Sequence, residues 1–138
     1  MTTIDQTIAR RYSDARIARV AAGVRRSPAE VLAAITFGTP YARRDAALDL
    51  AEAVETAADT AARLGAEGDY TMCHASAGTA RALAGHALTL CSEHDRARAE
   101  AAADRAEQAY RDAIAARTRR ALDRAAARGM SAAEYLAR

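Results

Sequence analysis

Residues 73–91 constrain the fold more tightly than any other stretch of this chain. At 100° per residue, Cys73, Ala77, Ala80, Ala84, Ala87 and Cys91 fall within about 40° of one helical line. Ala75, Gly78, Ala82 and Gly85 make a second small-residue line at heptad spacing, and Met72, Leu83 and Leu90 lie between the two, on the arc through His86. A helix with two seams of small side chains admits close neighbours on both sides. The stretch is therefore expected to be the central helix of a tightly packed bundle.

The rest of the chain agrees. Of 138 residues 41 are Ala, and Phe37 is the only Phe. A buried methyl is worth about 0.8 kcal/mol, so such a core is stabilised by close contact and not by bulk. All 20 basic residues are Arg, and Ala and Arg stand high on the helix-propensity scale. No period-2 alternation is long enough for a strand. The expected class is all-α.

Punctuation sets the helix limits. Thr3–Gln6, Ser27–Glu30 and Ser131–Glu134 fit the capping box, in which a hydroxyl and a carboxylate or amide three residues on satisfy orphan backbone donors. Pro28 and Pro40 each follow a capping hydroxyl, Ser27 and Thr39, where a missing N–H costs nothing. Gly23, Gly38, Gly65 and Gly129 stand where helices are expected to stop. The expected helices are 3–22 (with a break at Ser13–Asp14 as an alternative), 28–37, 40–64, 70–91, 93–128 and a stub at 132–138. No Gly or Pro lies between residues 90 and 95, so one unbroken helix over 70–128 is the alternative to a cap at Ser92. The chain reads as one domain. Residues 1–39 form a short-helix N-terminal unit, 40–128 an Ala-rich antiparallel bundle of three long helices, and 129–138 a C-terminal helical stub.

Charge is segregated. Residues 1–44 carry a net +5, residues 45–110 a net −7 and residues 111–138 a net +4. Basic and acidic helices packed side by side would neutralise one another. A basic end meeting an acidic partner such as nucleic acid is the sharper alternative. Asp45, Asp49, Glu52, Glu55 and Asp59 recur at helical spacing within a ~120° arc. They form either an arginine-paired face or a docking face for a basic partner.

Both cysteines and all three histidines lie in residues 72–94. On one helix the thiols stand roughly 27 Å apart, too far to bond or to share a metal. Each reads as a small hydrophobe on the alanine seam. Only Cys91 and His94 have ligand spacing, and a zinc site needs four converging ligands. Catalytic residues, metal ligands and cofactors are therefore not expected. His74, Gly78, Arg81 and Gly85 share one flank and are a candidate surface for a neighbouring helix or a partner.

The segment "SDARIARVAAGVRRSPAEVLAAI", residues 13–35, resembles a helix-turn-helix unit. The resemblance implies packing of Ile17 and Ala18 in a first helix, a turn at Ala22–Val24, and packing of Val31, Leu32 and Ile35 in a second. It also implies Arg25, Arg26, Arg43 and Arg44 as phosphate contacts. The spacings either side of Gly23 are longer than that pattern, and the second helix opens on Pro28 and Glu30. Residues 122–138 resemble the helical half of ribbon-helix-helix proteins, although the segment upstream favours helix over the required strand.

No apolar run approaches the ~20 residues that cross a bilayer, and no signal-peptide pattern is present, so a cytoplasmic location without a membrane partner is expected. The expected function is that of a non-catalytic helical interaction or regulatory protein, working through protein–protein contacts and forming homo-oligomers. A small DNA-binding regulator, with the long helices for dimerisation, is the alternative.

Overall fold

The computed structural model describes residues 3–137, apart from the side chain of Asp5. Seven helices follow in order: α1 (Thr3–Ala21), α2 (Pro28–Phe37), α3 (Pro40–Ala47), α4 (Leu50–Glu67), α5 (Tyr70–Leu90), α6 (Glu93–Ala127) and α7 (Ala132–Leu136). No strand occurs among the described residues. α4, α5 and α6 pack on one another up-down-up, as an antiparallel bundle joined by short turns. α2 lies across α3, α4 and α5 at one end, and α7 folds back on the far end of α6.

The caps account for most boundaries. Glu30 N–H and Glu134 N–H donate to Ser27 Oγ and Ser131 Oγ, each at 3.2 Å, and both serines donate back to the glutamate carboxylates. The box expected at Thr3–Gln6 does not set the start of α1: Thr3 is already helical, and its carbonyl accepts from Thr7 Oγ1 at 3.0 Å. Ser92 ends the question over residues 70–128: its Oγ accepts from Asp95 N–H, Cys91 is extended, and two helices result. α1 runs through Ser13–Asp14 without a break.

Three expectations need correction. The helix expected over 40–64 is two, because Leu48 and Asp49 form a tight turn. There Leu48 N–H donates to Asp45 O (3.2 Å) and Asp49 N–H to Ala46 O (3.0 Å). No Gly or Pro marks this bend; its effect is to present Asp45 and Asp49 to the same arginines. Nor does Gly65 stop α4. A Cβ there would stand 3.2 Å from Ala113 Cβ and 3.4 Å from Cys73 Sγ, so glycine lets three helices converge. The stop is Gly68, whose φ of +82° is the left-handed state that glycine tolerates.

The third correction concerns the two seams of α5. Cys73, Ala77, Ala80, Ala84 and Ala87 are buried and meet Ala57, Ala58 and Ala61 of α4 and Ala99, Ala102, Ala103 and Ala106 of α6 in one core. Ala75, Gly78, Ala82 and Gly85 are exposed. The bundle has three long helices and not four, so only one seam finds a neighbour. The few bulky core residues, Val31, Ile35, Leu50, Val54 and Leu83, come mostly from α2 and the start of α4.

Candidate functional site

The acidic row and the N-terminal arginines form one network. Asp45, only 6% exposed, receives Arg19 Nη2 at 3.0 Å and Arg26 Nη2. Asp49 receives Arg16 Nη1 at 2.5 Å, with Arg19 and Arg26 at 3.8 and 3.7 Å. Three arginines thus surround two carboxylates at the α3–α4 bend. A buried charge is tolerated only where it is paired and hydrogen-bonded, and this one is.

The row continues outward. Glu52 pairs with Arg25 at 2.8 Å, Glu55 with Arg98, and Asp59 with Arg105 at 3.2 Å. Every carboxylate of the expected docking face therefore meets an arginine of the same chain. The first three are met from α1 and the loop after it, the last two from α6. Basic and acidic segments lie side by side, and the segregation read in the sequence is largely neutralised within the fold. The exposed pairs contribute less than about 1 kcal/mol each.

The expected nucleic-acid contacts divide accordingly. Arg26 turns inward onto Asp45, and Arg25 is bound to Glu52. Arg43 and Arg44 stay exposed, with no ion pair among the described residues, and Arg44 lies 5.9 Å from the Tyr41 ring centroid. The helix-turn-helix arrangement is not the one built. Val31 and Ile35 are buried, but α2 packs on α3, α4 and α5, while Ile17 and Ala18 of α1 face water. The longer spacings around Gly23 are the physical reason, since the six-residue connection of residues 22–27 carries α2 away from α1.

On α5, His74 tilts onto Tyr110 at 4.7 Å, and Arg81 donates to Glu107 Oε1 (2.8 Å) and Asp104 Oδ1 (2.9 Å). The hydrogen bond from Arg81 holds the Glu107 carboxyl below its ordinary range, and the same pairs raise Arg81. His74 and Arg81 thus face α6 of the same chain. Gly78 and Gly85 face open space, where an added Cβ would meet nothing within 4 Å.

The thiols behave as core groups. Cys73 Sγ donates to Ala61 O at 3.2 Å, and burial, then Asp69, raises its pKa. Cys91 is half-buried near Ala47 O and is raised by burial first. No three His, Cys, Asp or Glu side chains converge on a metal-sized point among the described residues.

The feature that outweighs these is α1 itself. It docks on α3 through its polar side: the Tyr12 and Tyr41 rings stack at 6.5 Å, and Arg16 and Arg19 reach the two aspartates. The flank next to the arginines carries Ile17, 64% exposed, and Val20, 66% exposed, with Val24 just beyond at 57%. Val20 and Val24 line a cleft of about 270 Å³ against Ala53 and Thr56 of α4, whose other walls are the paired arginines and carboxylates, among them Arg16, Arg19, Asp49 and Glu52. The sequence did carry the signal, as two apolar arcs 180° apart between Ile4–Tyr12 and Ile17–Val24. Comparison with protein families, with curated proteins and with solved structures finds no match to the chain.

Proposed function

We propose that this chain acts by binding and not by catalysis, as a helical interaction protein whose principal partner is a second copy of itself. The inverted α1 carries the reading. Its charged side is spent on Asp45 and Asp49, and its large aliphatic side chains are turned to water while alanines fill the core. Covering an exposed Val or Ile gains about 1.5 kcal/mol or more, so this face gains most from an apolar partner. An identical face on a second copy supplies the same chemistry in a symmetric contact.

The test is a pair of measurements by light scattering over a concentration series. The natural chain is expected to exceed its 14.6 kDa mass as concentration rises. Ile17→Asp with Val20→Asp is expected to return it to the monomer with helix content unchanged. A second reading, contact with DNA through the N-terminal unit, is favoured by Arg43 and Arg44, which carry no ion pair among the described residues. Salt-sensitive binding of duplex DNA that Arg43→Ala with Arg44→Ala abolishes would establish it.

A further inference from the structure

At the end of the bundle remote from α1–α3, one face of α6 changes character. Ala99, Ala102, Ala103, Ala106 and Ala113 lie on that face and are buried against α4 and α5. Arg117, Arg120, Arg124 and Arg128 continue the same face within about 100° of arc. The switch falls where the neighbouring helices end. Gly65, near the end of α4, lies against Ala113, and Tyr70 at the start of α5 lies under Arg117, 5.1 Å from its guanidinium carbon. Arg120 donates to the Tyr70 hydroxyl. Beyond this level the helix packed on α6 is α7, whose Leu136 lines a cleft with Ile114, Thr118, Ala121 and Leu122, and with Arg117 at its edge.

All four arginines are exposed, and none has a carboxylate partner among the described residues. They differ in this from Arg16, Arg19, Arg25, Arg26, Arg81, Arg98 and Arg105, each neutralised across a helix contact. Their spacings of three, four and four residues place a charge every ~4.5–6 Å along about 16 Å of helix. A regular row of guanidiniums suits a ligand that is itself a regular row of anions. The nucleic-acid backbone, with one charge per ~3.4 Å on each strand, is such a ligand, and the guanidinium fork matches phosphate oxygens.

We infer that the Arg117–Arg120–Arg124 face of α6, extended by Arg128 at its C-cap, binds the phosphate backbone of nucleic acid. Arginine can also bond guanine edges, so the contacts inferred are those to phosphate, and competition by duplexes of different base composition reads whether bases add to them. Tyr70 fixes the first two guanidiniums, which leaves less side-chain freedom to lose on binding. This surface lies at the opposite end of the molecule from α1 and does not depend on self-association.

Fluorescence anisotropy with a labelled duplex, on the full chain, tests it. Four phosphate contacts per protomer give a slope of log affinity against log salt of about −3.6, so binding should weaken about a hundredfold between 50 and 200 mM salt. Replacing all four arginines by Ala, a strong helix former, should keep the helix content and weaken binding at least about tenfold, with a shallower salt slope. Arg63→Ala with Arg105→Ala, which removes two arginines already paired with Glu67 and Asp59, should leave the affinity unchanged. The inference fails if the natural chain does not bind at low salt, or if the fourfold variant binds as well as it. It also fails if polyglutamate or anionic lipid vesicles compete as effectively as unlabelled duplex at equal charge.

Discussion

Asp45 is the residue on which the N-terminal unit turns. Its carboxylate sits at 6% exposure between Arg19 and Arg26, and no other charged side chain is buried among the described residues. Asp45→Asn keeps the shape and removes the charge, leaving three arginines around Asp49 alone. Breaking a buried pair from one side costs about 3 kcal/mol or more, whereas Glu52→Gln, at an exposed pair, should cost less than about 1 kcal/mol. Urea unfolding of both variants checks the contrast. Much at this scale is legible in sequence. The Ser27 and Ser131 caps and the seam position of Cys73 follow from local spacing. The partners of Asp45 do not, because Arg19 and Arg26 reach it through a bend at Leu48–Asp49 that no Gly or Pro announces.

Among the elements, α5 shows how far periodicity carries. The wheel separates its two small seams correctly, but which one is buried depends on how many helices surround it, and that is a property of the whole bundle. The glycines test the assignment. Gly78 and Gly85 face open space within a helix, so Gly78→Ala and Gly85→Ala should each stabilise the chain by roughly 0.5–1 kcal/mol. Gly65→Ala should fall short of that gain, because its Cβ would press on Ala113. Thermal unfolding of the three variants separates them. The α5–α6 contact also carries a pH signature. Arg81 depresses the Glu107 pKa, so the contribution of Glu107 is present above the ordinary carboxylate range and is lost as pH falls through its lower folded value. Glu107→Gln should accordingly flatten the fall in melting temperature on acidification.

At the level of the whole molecule, one pattern runs through the chain: alanine inside, arginine set against carboxylate between helices, and large aliphatics on α1 turned outward. Segregated charge was visible in the sequence, and its internal neutralisation was one of the two arrangements it allowed. The outward face of α1 was half visible, as two apolar arcs, of which the first is covered only at Ile8 and Tyr12, where Tyr12 docks on Tyr41, while Ile4 is 72% exposed. If Ile17, Val20 and Val24 meet a second copy, α1 is protected by association while the α4–α6 core is protected by folding alone. Hydrogen exchange followed as a function of protein concentration separates these directly. The expected result is slower exchange across residues 13–24 as concentration rises, with the α4–α6 core unchanged. Exchange in residues 13–24 that is the same at every concentration, in a chain that stays at 14.6 kDa, would contradict it.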